Sequence, residues 1–351
     1  MQTLVLRLSP LPAGLPVGDA LARLTADPAL VHAAEILRAG GLVAFPTETV
    51  YGLGANALSA AAVEKIFLAK QRPHWDPVIV HAPSAAEARK LASEWPDEAE
   101  KLATAFWPGP LTMLLPRAGC IPAICTAGRE KVGLRVPSHP VARALLLAAG
   151  VPVAAPSANR FGHTSPTTAE HVLADLDGRI DAILDAGPSA VGVESTVLDP
   201  TTHPPIIYRP GGITAEQLRA LLGEVAVAER GVSDEAPPES LESPGLGIRH
   251  YAPRAPLHLV GGEAELAEAV ARAAGRRVGV LLPSGWTMPP AGAQVTVQPW
   301  GDWSEPETLA RELYAGLRAL DELGVELILC PLPSAEGIGL ALRDRLNKAA
   351  K

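Results

Sequence analysis

At 351 residues, with 48% hydrophobic and 19% charged residues, the chain exceeds the usual size of one domain, can fill real cores, and lacks the composition of a long disordered segment. Its 38 acidic residues against 30 basic ones give a formal charge of -8, which excludes a generally basic surface for nonspecific nucleic-acid binding and requires any anion site to be local. The three cysteines, Cys120, Cys125 and Cys330, are too few for a disulfide framework; they read as reduced thiols, and no second pair at zinc spacing accompanies Cys120 and Cys125.

The amino-terminal MQTLVLRLSPLPAGLP, broken by prolines, does not read as a signal peptide, and no apolar run approaches the ~20 residues that span a bilayer. A soluble, cytoplasmic protein is expected. Helical apolar spacing over 29–39 ends at Gly40-Gly41, and LVAF (42–45) reads as a buried strand. Next come the loop PTETVYGLG with its glycine turn, a helix opened by Ser59 that runs into Lys70, and the strand PVIVH (77–81). Ser84 and Glu87 pattern as a capping box. Further strands are expected at LTMLLP (111–116), KVGLRVP (131–137), VPVAAPS (151–157), IDAILDAG (180–187), STVLDP (195–200) and PIIYRPG (205–211). A helix from 139 to 149 and one capped by Thr214 and Gln217 complete the pattern. Strands outnumber helices without strict alternation, which fits a mixed, twisted α/β sheet.

Residues 231–255 change character, with prolines, glycines, serines and acids replacing the periodic apolar pattern, and read as a linker between a domain at 1–230 and one at 256–351. In the latter, LHLV, RVGVLLP, VTVQPW and VELILCPLP alternate with helices at 264–274, at 305–323 and at the carboxyl end. This predicts a small Rossmann-like sheet; no GxGxxG follows any of its strands.

Several polar residues stand where strands end. Lys70 and Arg72 flank a helix terminus, where cations are favoured without any ligand, yet the pair could equally neutralise a polyphosphate. Arg135 lies inside GLRVP and either snorkels from an edge or grips a carboxylate. Ser157 and Asn159 in APSAN suit ligand hydrogen bonding or an ordinary turn; without GxSxG or an acid-His pair, a hydrolase triad is not indicated. Thr49, His81, Ser195 and Arg209 are ambiguous singly.

Taken together, PTETVYGLG, Lys70-x-Arg72-Pro73, PVIVH, GLRVP, APSAN, SPT (165–167), ESTVLD (194–199) and YRPGG (208–212) resemble the YrdC-like family. SPG and RHYAP (249–253) in the linker, with the two-domain layout, resemble the long form of threonylcarbamoyl-AMP synthase. The resemblance implies condensation of L-threonine, bicarbonate and ATP to threonylcarbamoyl-AMP and pyrophosphate, with Mg2+ carried by ATP and no tightly held metal. The product would feed a downstream tRNA threonylcarbamoyl transferase that modifies adenosine 37, without stable tRNA binding by this chain. Carried over motif by motif, Arg72, Asp76, Lys131, Ser157, Ser165, Arg209 and Ser243 would contact ATP. Thr49, His81, Arg135, Ala155 and Ser195 would hold threonine. Lys70 and Asn159, with Arg72 and Ser157, would stand near the reacting groups. Asp76 occupies a position usually held by Asn, Lys131 one usually held by a small hydroxyl residue, and Gly247-Ile248 replace a basic-aromatic pair. The competing readings are a hydrogenase-maturation carbamoyltransferase, whose acylphosphatase domain and zinc fingers are missing here, and an RNA-binding module without adenylate synthesis.

Overall fold

The structure is a computed structural model that describes residues 2–10, 14–228, 240–243, 250–288 and 294–351. Pro244, Gly245, Gly247, Ile248 and Arg249, with most of the expected linker, lie outside the described residues.

The first part runs β1 (Leu4–Arg7), α1 (Val17–Thr25), α2 (Pro28–Arg38), β2 (Val43–Phe45), β3 (Gly52–Asn56), α3 (Ala60–Lys70), β4 (Ile79–His81), α4 (Ala85–Arg89), α5 (Asp97–Phe106) and β5 (Leu111–Pro116). It continues with β6 (Lys131–Arg135), α6 (Pro140–Ala149), β7 (Val153–Ala154), α7 (Ala169–Leu176), β8 (Ala182–Asp185), β9 (Thr196–Asp199), β10 (Ile206–Arg209), α8 (Ala215–Leu222) and β11 (Ala226–Val227). Among the described residues these strands form one sheet in the order β1-β8-β2-β3-β7-β4-β6-β5-β9-β10-β11. It is mixed, as expected: β4 pairs parallel with β6, and β6 antiparallel with β5.

Local chemistry sets the boundaries. Ser59, Ser84, Thr168 and Thr214 each accept a backbone N–H at a helix start, and Thr214 with Gln217 closes a full capping box. The GLG segment is not the turn the sequence suggested but the strand β3, antiparallel to β2. A Cβ on Gly54 would come within 2.9 Å of both Phe45 and Val153, so the glycine is there for close packing. Helices α1, α5 and α7 were not anticipated, and the expected 151–157 strand shrinks to Val153–Ala154.

The two-residue strand period divides polar from apolar here. Leu111, Met113 and Leu115 of β5, Val132 and Leu134 of β6, and Leu198 of β9 point into the main core. Lys131 and Arg135 of β6 and Asp199 of β9 therefore project from the opposite face, about 13 Å separating the first two along the strand at 3.3 Å per residue.

The second part carries β12 (Leu257–Val260), α9 (Glu263–Arg272), β13 (Val278–Ser284), β14 (Val295–Asp302), α10 (Pro306–Glu322), β15 (Leu327–Pro331) and α11 (Gly339–Ala349). Its strands pair parallel in the order β12-β15-β13-β14, as the alternation predicted. Its apolar core is continuous with the first part: Val50 and Val193 sit in one cluster with Tyr251, Leu313, Tyr314 and Leu342.

Candidate active site

A cleft with about 530 Å3 of empty space, opening included, lies where the 46–51 loop, β4, β6, the 155–157 segment, the 194–195 segment and the end of β10 meet, and His250 and Tyr251 line it as well. Eight of the residues singled out by sequence, Thr49, Arg72, His81, Arg135, Ala155, Ser157, Ser195 and Arg209, line it together.

The loop after β2 is braced internally. Thr47 donates to the Val50 carbonyl at 2.6 Å and shares a 2.8 Å hydrogen bond with Thr49. Arg135 Nη2 donates to Thr49 Oγ1 at 3.0 Å and to Glu48 Oε1 at 2.7 Å. Burial acts to raise the Glu48 pKa, but the Arg135 charge and hydrogen bond together with backbone N–H groups make the net shift downward. Sequence reasoning passed over Glu48; its neighbourhood to Thr49 was the available signal.

His81 stands beside Arg135 in register and is 2% exposed. Burial, helped by the Arg135 charge, pushes its pKa down to about 3, so the ring is neutral and a hydrogen-bonding group rather than a base at pH 7. The unfolded ring titrates near 6.5, so the unfolded chain binds the extra proton between pH 6.5 and 3. Stability is therefore lost as pH falls through that window, by up to ~1.4 kcal/mol per pH unit for this group. His81→Gln should lessen the difference in urea midpoint between pH 7.5 and 5, while His171, held near 4, keeps part of it. An unchanged difference in the variant would clear His81 of this role.

Arg72, 6% exposed, donates through Nε to the Asp76 carbonyl at 3.0 Å and through Nη2 to the Pro77 carbonyl at 2.6 Å. Its Nη2 also lies 3.0 Å from Asp76 Oδ1, an ion pair not aligned as a hydrogen bond. His250 Nε2 approaches the other carboxylate oxygen at 3.7 Å. Asp76 is fully buried; burial would raise its pKa, yet Arg72 and then His250 bring it down. The acid at the atypical position thus turns toward Arg72 and the linker histidine and does not itself line the cavity.

Lys70 and Asn159 do not line it either. The buried Lys70 Nζ donates to the Ser157 carbonyl at 2.5 Å and to the Asn159 carbonyl, and Asn159 Nδ2 donates to the Arg160 and His163 carbonyls. Lys70 thus holds the APSAN backbone from behind, and Asn159 holds the 160–163 turn that follows it. This orients Ser157 and the Ala155 backbone toward the cavity.

Across the cavity, Ser195 Oγ shares a 2.8 Å hydrogen bond with Thr112, and Arg209 donates to the Ser195 carbonyl from Nε at 3.1 Å and Nη2 at 3.0 Å. Ser165 is fully buried and donates to Glu194 Oε1 at 2.5 Å, with Glu194 itself at the cavity wall. Lys131 lies elsewhere on the same sheet face, paired with Asp199 at 2.5 Å. It lines a second pocket with Arg129, Tyr208 and Glu242, about 710 Å3 of empty space opening included. Ser243 is buried next to Glu242, in a linker segment that Arg129 fastens through the Ser240 carbonyl at 2.6 Å. Of the expected ATP contacts, Arg72, Ser157 and Arg209 line the first pocket and Lys131 the second, on one face, while Asp76, Ser165 and Ser243 line neither.

Comparison with known proteins fits this arrangement. Residues 35–211 match the family model described as telomere recombination, and residues 213–351 the model described as the threonylcarbamoyl-AMP synthase C-terminal domain. A threonylcarbamoyl-AMP synthase of Bacillus subtilis is 46% identical over 93% of this chain and 94% of its own length. The chain belongs to the threonylcarbamoyl-AMP synthase family. Another member, from Pyrococcus abyssi, is 41% identical over 91% of this chain and 93% of its own. The crystal structure of P. abyssi Sua5 complexed with L-threonine superposes with a TM-score of 0.87 at 39% identity, covering 99% of this chain and 98% of that one. The family is one of nucleotidyltransferase enzymes acting in tRNA processing, and among the described residues no helix is long and apolar enough to cross a membrane.

Proposed function

We propose that the chain condenses L-threonine, bicarbonate and ATP to threonylcarbamoyl-AMP and pyrophosphate, as a cytoplasmic enzyme acting ahead of a tRNA threonylcarbamoyl transferase. One observation carries this reading: Arg72, Arg135 and Arg209 converge on a single cavity with Thr49, His81 and Ser195. Three anions must meet in the reaction, and fixed cations at their meeting point offset the repulsion.

Threonine is assigned to Thr49, His81, Arg135, Ser195 and the Ala155 backbone. The triphosphate is assigned to Arg72, Ser157 and Arg209, with Ser165 fixed behind them. The nucleoside end is assigned to the pocket of Lys131 and Tyr208, closed by the segment bearing Ser243. The separation of the two pockets along β6 suits one extended nucleotide lying lengthwise on the sheet face.

The threonine amine adds to bicarbonate with loss of water to form a carbamate. A carbamate oxygen then bonds to the α-phosphorus of ATP as the bond to the bridging oxygen of the β-phosphate breaks, and pyrophosphate leaves. No side chain needs to act as a covalent nucleophile; Arg135 and His81 orient the amino acid, and Arg72 and Arg209 offset charge at phosphorus. Mg2+ carried by ATP would offset charge on the leaving pyrophosphate. Glu48, Asp76 and Glu194 each face an arginine at 3.0 Å or less, so these carboxylates are committed to cations of the protein.

Pyrophosphate release is expected only when ATP, L-threonine, bicarbonate and Mg2+ are all present, with a nucleotide product of the mass of threonylcarbamoyl-AMP. Release that ignores threonine rejects the reading, and salt-sensitive RNA binding in its place would favour the RNA-module alternative.

A further inference from the structure

Glu194 is the point at which the carboxyl-terminal domain reaches the cavity. It sits immediately before Ser195, is 6% exposed, and takes hydrogen bonds from three elements. Ser165 donates from the first domain, Tyr314 Oη from α10 at 2.9 Å, and Arg345 Nε from α11 at 2.7 Å. Arg345 is fully buried and uses its whole fork: Nη1 donates to Asp344 Oδ2 at 2.6 Å and Nη2 to the Pro210 carbonyl at 3.0 Å. Glu194 precedes Ser195, and Pro210 follows Arg209. One guanidinium from the last helix therefore ties together the two segments that present Ser195 and Arg209 to the cavity.

We propose that Arg345 is a positioning residue of the active site, whose charge cancels that of Glu194 beside the anionic substrates and whose fork fixes Ser165, Ser195 and Arg209. This goes beyond the assignment of substrate contacts but rests on that reading of the cavity. The carboxyl-terminal domain thereby supplies part of the site's electrostatics as well as its packing.

A carboxylate in this wall faces the same space as phosphates and a carboxylate substrate, and only a matching buried cation removes the conflict. Burial acts to raise the Glu194 pKa, but Arg345 and then Arg209 hold it down at about 2. The groups facing Glu194 are Ser165, Tyr314, Arg345, Arg209 and Tyr251. Tyr251 lies with its ring centroid 4.9 Å from the Arg345 guanidinium and stacks on Tyr314 at 6.0 Å. Asp344 is shared between Arg345 and Lys348, at 2.6 and 2.8 Å, so Arg345 is itself held. The fork cannot be replaced by a point charge: a lysine would keep the charge but lose the simultaneous grip on Glu194 and Pro210.

The test uses the full chain. Arg345→Met is expected to raise the KM for ATP roughly 10- to 100-fold, through the uncompensated Glu194 charge, and to lower kcat per folded site roughly 10-fold or more, through the lost tie between the Ser195 and Arg209 segments. The double variant E194Q/R345M removes the uncompensated charge and should return KM to within about threefold of wild type while kcat stays low, because the fork is still missing. In R345M alone KM should fall as pH drops from 8 to 6 and Glu194 takes a proton, and this dependence should vanish in the double variant. A structural role alone would lower the melting temperature and the folded fraction without moving KM or its pH profile. Unchanged KM in folded R345M, or a double variant no better than the single, overturns the proposal. If R345M does not fold, R345K decides: a kcat lowered roughly 10-fold or more with KM near wild type supports the fork, and an unchanged kcat overturns it. Wild-type enzyme lacking threonine-dependent pyrophosphate release would instead remove the functional reading.

Discussion

The double variant R72M/D76N is expected to be folded and to release pyrophosphate ~100- to 1,000-fold more slowly than wild type. The pairing matters because Arg72 and Asp76 are 3% and 0% exposed at their side chains and 3.0 Å apart. Arg72→Met alone would leave a buried carboxylate without its ion pair, a loss of about 3–5 kcal/mol that mixes unfolding with lost chemistry. Replacing both partners removes the charge conflict, so what remains in the rate is the missing cation at the phosphates. Asp76→Asn alone frees Arg72 from its ion pair, and turnover should be retained. Urea denaturation and pyrophosphate release on the three variants separate the terms. Near-normal turnover in folded R72M/D76N would sink the role of Arg72, and collapse of turnover in D76N would show that Asp76 is needed as an acid.

The fold was legible in the sequence wherever period and punctuation agreed. LTMLLP and KVGLRVP alternate cleanly between core and cleft, and β5 and β6 form there. Thr214 with Gln217 announced α8. Legibility failed where a residue type has two uses. The glycines of GLGAN look like a turn, yet they serve a strand squeezed between β2 and β7, and single-chain periodicity carries no information about that squeeze. Helix α5 has only Ala99, Leu102 and Ala103 buried in an otherwise acidic segment, a weak apolar stripe. The site was legible as a set of residue types at strand ends, since the loops after strands must carry any polar side chains that converge. Which of those side chains face the cavity and which hold its walls was not. Lys70 and Arg72 are two residues apart, but one ends inside α3 and points at the APSAN carbonyls, while the other lies past the left-handed Gln71 at φ 55° and faces the cavity. Arg345 was invisible because its partner Glu194 is 151 positions away and nothing local links them.

Gly211→Ala is expected to abolish measurable activity and to destabilise the protein by ~2–4 kcal/mol. Gly211 follows Pro210 in the turn after β10, and a Cβ there would meet the Glu194 carbonyl oxygen at 2.3 Å, the Thr196 nitrogen at 2.3 Å and the Ser195 carbonyl carbon at 2.4 Å. All three are backbone atoms, so no rotamer change relieves the contact; the 194–196 segment and the turn must move apart. That separation breaks the Arg209 hydrogen bonds to the Ser195 carbonyl and pulls Pro210 from Arg345. A displacement of about 1 Å at groups that position reactants costs on the order of 100-fold in rate, and here Ser195 and Arg209 shift together. Gly18→Ala is the matched control: nothing lies within 4 Å of its added Cβ in α1, so the same substitution should raise stability by ~0.5–1 kcal/mol and leave turnover alone. Comparable activity in the two variants would mean that the approach of the 211 backbone to the 194–196 segment does not set the site, and with it the wall-fixing role given to Arg345 would lose its geometric basis.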